Sequence, residues 1–345
     1  MKILFKNLPS EQLYHALKSD GVSLRLARKL QSWVMRHDKL PDTLPEVSNK
    51  VLQNVFAVTE LPRLTLVNQV TSPTDGFTKF VFRGDGPELF EAVRIPILHK
   101  PGDEKFIICV SSQAGCPLAC DFCATGRLGL QRNLATWEIV DQVLQIQAIS
   151  QHPVRGVVFM GMGEPLLNYD AVVTASRILS ESCTTIAAKA ITISTAGIIA
   201  GIRRFTAEKN PFRLVVSLTT ADPHKRRSLM PVEQTNPTPE LMLALREYHA
   251  ATGIRVTLAW TMISGVNTSE QDAIQLAALT RDLPVKLDLI DVNDPTGRFM
   301  PPSPAELNAF RDALRKHLAA PVARRYSGGQ DIHAACGMLA GAPLI

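Results

Sequence analysis

Two hydrophobic rhythms divide the chain. From Ser10 to about Val58 apolar residues recur at helical spacing, most clearly in SLRLARKLQSWVMRH, with breaks at Gly21 and between Pro41 and Pro45. A small helical module over 1–58 is expected. The segments LTLVNQVTS, FTKFVFRG and LFEAVRIPI then alternate as strands do, separated by turn signals at Pro73 to Gly76 and Gly84 to Gly86. They predict a small antiparallel sheet over 59–101, bridging the helical module to the larger C-terminal region.

From about Lys105 short apolar runs alternate with helical stretches. FIICV, VVFMG, ITIST, LVVSL, TLAWTM and KLDLI read as strands, and EIVDQVLQIQA, DAVVTASRIL, IAGIRRF, ELMLALREYHA, DAIQLAALTRD and AELNAFRDALRK as the helices between them. Parallel strands joined by helices cross over with one hand and curve into a barrel. Six units fall short of the eight that close the usual barrel, so the fold class is α/β with an open, partial (βα)6 barrel over 102–329, followed by a tail over 330–345. Active sites of such barrels lie at the C-terminal ends of the strands. Three clustered cysteines, the GMGEP turn and the loops after Ser194 and Leu218 all fall there.

Composition narrows the class. At 345 residues, 46% hydrophobic and 20% charged, the chain has the balance of a globular protein with a sizeable core. The start lacks the long apolar core of a signal peptide, and no stretch reads as a membrane span, so a cytoplasmic address and no membrane partner are expected. A net charge of +5 is compatible with a polyanionic partner without demanding one. Basic residues gather at Arg25, Arg28, Lys29, Arg36 and Lys39, at Lys225 to Arg227, and at Arg324 and Arg325. Each group alone is as readily a solvated helix face.

Cysteine spacing changes the picture most. Three of the six cysteines, Cys116, Cys120 and Cys123, stand in the single run SSQAGCPLACDFCATG. In a reducing compartment such a cluster is a metal or catalytic site. A 4Fe-4S cluster held by three thiolates leaves one iron open to a substrate; a zinc site completed by a distant His or Cys is the alternative. Of the others, Cys183 reads as a small buried hydrophobe.

The CxxxCxxC run at the first strand-to-loop junction of a partial barrel resembles the radical S-adenosylmethionine (SAM) superfamily. CVSSQAGCPLACDFCATG, RNL, VVFMGMGEPLLN, ISTAGI and DIHAACGMLAG resemble, more narrowly, the RlmN/Cfr family of RNA methyltransferases, and DGFTKFVFRGDG and EAVRIP extend the likeness through the small sheet. The resemblance implies one 4Fe-4S cluster per chain on Cys116, Cys120 and Cys123, its fourth iron exchangeable with SAM. It implies SAM contacts at Gly163, Glu164, Ser194, Ser217, Leu218, Thr219 and Asn293. Cys109 and Cys336 match the catalytic pair, and Glu91 matches the proton acceptor, although a solvated strand carboxylate is what the residues alone suggest there.

In the mechanism this implies, one SAM methylates Cys336 and a second, bound to the open iron and reduced, yields a radical that removes hydrogen from the S-methyl group. The carbon radical adds to an adenine ring carbon, and Cys109 as thiolate attacks Cys336 to release methylated RNA and leave a disulfide. The implied activity is methylation of carbon 2 of an adenine in 23S rRNA, and in tRNA as a second target. Methylation of carbon 8, a radical SAM enzyme acting on protein, and a non-catalytic zinc-dependent RNA-binding protein are the alternatives. The basic module fits an RNA-binding accessory domain. The partners implied are RNA and an external electron donor such as flavodoxin or ferredoxin, with the chain a monomer. Four positions depart from the family pattern: Thr219 for His, Glu233 for Asn, Asp291 within LIDVND, and Met338 for Gln.

Overall fold

A computed structural model describes residues 2–97, 102–181 and 186–340; Cys183, expected in the core, lies outside the described residues. Helices α1 (Ser10–Leu17), α2 (Leu24–His37) and α3 (Asn49–Val58) form the N-terminal module. Ser23 and Ser48 begin α2 and α3 by accepting a bond from the backbone N–H three residues on, Leu26 at 3.2 Å and Val51 at 3.4 Å. The apolar stripe Leu26, Leu30 and Val34 is buried, while Arg25, Arg28, Arg36 and Lys39 remain exposed.

A fully buried Lys6 ties this module to the barrel. Its ammonium meets Asp38 at 2.5 Å and also pairs with Asp141. Asn7 Oδ1 accepts from Trp137 N at 2.8 Å beside it, at the start of α4 (Thr136–Ala148). A lysine is buried only where carboxylates compensate the lost hydration, and here two of them do.

One sheet of ten strands runs through the rest of the molecule. Strands β1 (Thr65–Thr71), β2 (Thr78–Arg83) and β3 (Leu89–Ile97) are antiparallel, and β3 pairs antiparallel with β4 (Lys105–Cys109). From β4 onward the strands are parallel: β5 (Val154–Phe159), β6 (Ile191–Thr195), β7 (Arg213–Ser217), β8 (Val256–Met262), β9 (Val285–Asp291) and β10 (Val322–Arg324). The small sheet is thus continuous with the barrel sheet.

The crossovers are α4, α5 (Tyr169–Leu179), α6 (Ile199–Ala207), α7 (Pro223–Leu229) with α8 (Thr238–Thr252), α9 (Glu270–Leu279) and α10 (Pro304–His317). Six strand–helix units from β4 to α10 make the expected open barrel, and the short β10 adds an edge strand that periodicity does not announce. Parallel strands covered on both faces carry continuous apolar runs, and in β8 the successive residues Leu258, Ala259 and Trp260 are all buried. Among the described residues no helix is long and apolar enough to cross a membrane.

Candidate active site

The C-terminal ends of β4 to β9 surround a cavity of about 170 Å³. Cys116, Cys120 and Cys123 enter it from the loop after β4, and Gly163 and Glu164 from the loop after β5. Ser194, Ser217 and Asn293 close the far side, and Cys336 reaches in from the tail. The expected SAM-site residues therefore converge, with two exceptions: Leu218 and Thr219 are fully buried behind the wall rather than lining it. Thr219 has φ +65°, and its buried Oγ1 finds no partner among the described residues. A β-branched residue in that backbone region is strained, a cost that clusters at functional sites.

The cysteine loop is held from several directions. Cys116 N donates to Gly129 O at 3.0 Å, and Asp121 N to Leu229 O at 2.9 Å. Arg127 pairs with Asp294 at 2.8 Å and Arg298 with Asp121 at 2.7 Å, clasping the loop to the one after β9. Burial raises the Cys116 thiol to about 12, and burial together with Cys123 and Cys116 raises Cys120 further. Thiols that oppose each other's ionisation in a buried pocket call for a cationic centre to hold them as thiolates. A cluster that takes one thiolate per iron suits three thiols spread around a cavity.

Glu164 is fully enclosed, accepting from Ala196 N at 2.7 Å and Leu166 N at 3.0 Å, and burial pushes its carboxyl up to about 7. A buried carboxylate at a cavity wall is suited to a ligand ammonium group, which would restore its charge. Gly163 stands beside it with φ +102°, and a Cβ there would lie 2.6 Å from Gln113 Cβ, so only glycine fits.

Arg226 departs from the solvated basic cluster expected of it. Placed in a basic cluster, it is fully buried: it donates to Leu218 O at 3.2 Å and Ala196 O at 2.6 Å and pairs with Glu233 at 2.5 Å. It is a strut joining the ends of β6 and β7, and the Glu233 departure is its counter-charge. Asp291, another departure, pairs with Arg324 at 2.6 Å.

A second, smaller cavity of about 70 Å³ adjoins the first. Cys109, at the end of β4, and Cys336 both line it, while Cys336 also lines the first. Burial, and after it the neighbouring Cys336, raise the Cys109 thiol far above its ordinary value. Burial raises Cys336 too, although its residue surface is open to the cavities. Val93 pairs with Cys109 across the β3–β4 ladder, so Glu91, two residues earlier on β3, projects from the same face. Glu91 is 1% exposed, which replaces the solvated reading; it pairs with Lys79 at 3.1 Å and accepts from Ala340 N at 3.0 Å.

The tail is stitched in place by contacts that no motif announces. Ala124 N donates to Gly337 O at 2.8 Å and Thr125 Oγ1 to Leu339 O at 2.6 Å, both from the short helix after Cys123. Asn293 Nδ2 donates to Ser327 Oγ at 2.7 Å and to Cys336 O at 3.3 Å, and Lys79 Nζ reaches His333 O at 3.4 Å. Asn293 thus touches both the larger cavity and the tail.

A family model for the radical SAM superfamily matches residues 110–277. A probable RNA methyltransferase of Myxococcus xanthus is 47% identical over 97% of this chain and 93% of its own length. A probable dual-specificity RNA methyltransferase RlmN of Leptospira interrogans is 37% identical over 97% and 90%. The crystal structure of a radical SAM methyltransferase from Sphaerobacter thermophilus superposes with a TM-score of 0.88 at 34% identity, covering 99% of this chain and all of that one.

Proposed function

The chain belongs to the radical SAM superfamily and, within it, to the RlmN-type RNA methyltransferases, and from that premise we propose that it methylates carbon 2 of an adenine in 23S rRNA, and in tRNA as a second substrate, through an S-methylated Cys336. One observation carries this reading: Cys109 and Cys336 face one small cavity that opens beside the cavity of the three clustered thiols, with Glu91 buried on the same sheet face. A protein that only bound RNA through zinc would have no use for that pair. When loaded, a 4Fe-4S cluster and SAM would supply the one-electron chemistry that activates the methyl group carried on Cys336.

The chain's own residues divide the remaining work. Cys116, Cys120 and Cys123 would hold the cluster. Glu164 receives the SAM ammonium group, and Gly163, Ser194, Ser217 and Asn293 shape the pocket, with Leu218 and Thr219 backing it. Cys336 carries the methyl group because it alone of the pair lines both cavities. After the adduct on the adenine carbon gives up one electron, which the cluster would take back, and its ring proton, the Cys109 thiolate attacks the Cys336 sulfur; the sulfur–carbon bond breaks with its electron pair going to the carbon, which takes a proton to become the methyl group. Glu91 takes the proton lost from the adenine carbon, and an external dithiol reduces the disulfide.

Arg25, Arg28, Arg36 and Lys39 on the helical module support an RNA-binding role for 1–58, since phosphate contacts need placed cations and little else. The remainder divides into a linking sheet (59–101), the radical SAM core (102–329) and the methyl-carrier tail (330–345). A cytoplasmic monomer taking electrons from flavodoxin or ferredoxin completes the reading. The test is anaerobic turnover on 23S rRNA and tRNA followed by nucleoside mass spectrometry. 2-Methyladenosine is expected; 8-methyladenosine would overturn the ring carbon, and unmodified RNA the whole assignment.

A further inference from the structure

Tyr326 is 74% exposed, more than any other large hydrophobic side chain among the described residues, yet its ring is fixed in place. The hydroxyl meets Asp75 Oδ2 at 3.2 Å, and the ring stands edge-on to Phe77, centroids 6.1 Å apart at 64°. Asp75 is itself held by Gly329 N at 2.8 Å and Phe77 N at 3.2 Å. Gly328 makes the assembly possible: a Cβ there would lie 2.5 Å from both Asp75 Oδ2 and Phe77 Cε2 and 2.7 Å from Tyr326 Cε1. Tyr326 and Phe77 line the same cavity as Cys109 and Cys336, so the exposed ring forms its outer lip.

We propose that the Tyr326 ring is a stacking platform for a nucleobase of the RNA substrate, the one next to the base whose carbon reacts at the cysteine pair; this rests on the RNA methyltransferase reading above. An adenine attacked at a ring carbon must leave its stack, and the neighbour it abandons loses a stacking partner. An aromatic face at the lip replaces it. Because the hydroxyl and one edge are already held, little side-chain freedom is lost when the base arrives. The cavity behind takes the reactive carbon, and the platform sets which strand geometry can deliver it.

The test is steady-state methylation of RNA by the cluster-loaded enzyme, with Cys336 S-methylation measured separately. Tyr326→Ala and Tyr326→Leu are expected to raise KM for RNA about 5- to 150-fold while kcat at saturating RNA and Cys336 loading stay as in the native chain. Tyr326→Trp and Tyr326→Phe are expected to hold KM within about threefold, because both keep a π face. An unchanged KM in the Ala variant, or native KM in the Leu variant, would overturn the platform, the latter by showing that bulk suffices. A native enzyme that loads Cys336 yet modifies no RNA would instead overturn the parent reading.

Discussion

The two adjoining cavities are built in opposite ways. The cluster loop gathers Cys116, Cys120 and Cys123 within eight consecutive residues, so local spacing alone announces it. The smaller cavity draws Cys109 from β4 and Cys336 from the tail, with Glu91 of β3 buried on the same sheet face, positions brought together only by sheet register and by the docking of the chain's end. The three thiols share one stretch of backbone, which contacts to Leu229 and to the loop after β9 then hold in place. A site assembled from distant segments depends on each contact that holds those segments, and here these include Thr125, Lys79 and Asn293.

The largest effects should separate the two regions cleanly. Cys120→Ala is expected to lose iron and sulfide and with them all turnover. Cys336→Ala is expected to bind iron normally and still form no methylated RNA, as iron assay and nucleoside mass spectrometry would show. A Cys336→Ala protein with native activity would dissolve the distinction between the cavities.

Glu91→Gln tests the relay side next. Losing a proton acceptor costs about 10²- to 10⁴-fold in rate, with iron content and Cys336 loading unchanged. Loss of loading would instead mean that Glu91 serves only to dock the tail.

On the cluster side, Arg226→Met leaves Glu233 buried without its counter-charge, an expected loss of about 3–5 kcal/mol in unfolding free energy read from denaturant melts. A smaller effect concerns SAM itself. The Glu164 carboxyl, pushed up to about 7, is neutral below that pH and offers no charge to the ammonium group. SAM affinity of the anaerobic holoenzyme should therefore rise about tenfold from about pH 6 to about pH 8, measured by calorimetry. A flat profile would remove Glu164 from the SAM contacts. Smallest is Thr125→Val, which deletes one bond to the tail and should lower Cys336 loading by about fivefold, in line with about 1 kcal/mol for a hydrogen bond.

The same contrast explains what could be read in advance. The barrel strands were legible because parallel strands buried on both faces leave apolar runs, and ITIST matches β6 residue for residue. Edge strand β10 was not: three residues, Val322 to Arg324, carry no period. Arg226 sat in a run of three cations and looked solvated, since nothing local reveals that Glu233 folds back onto it. Glu91 lies in an alternating strand whose outer face would ordinarily meet water. The tail covers that face, so the carboxylate is buried by a segment about 250 residues away in the chain.

The measurement that tests the central claim most directly is mass spectrometry of the tail peptide after anaerobic incubation of the iron- and sulfide-loaded protein with methyl-labelled SAM. The account predicts label on Cys336 and its transfer to RNA when RNA is added. An intact cluster with an unlabelled Cys336 would contradict it.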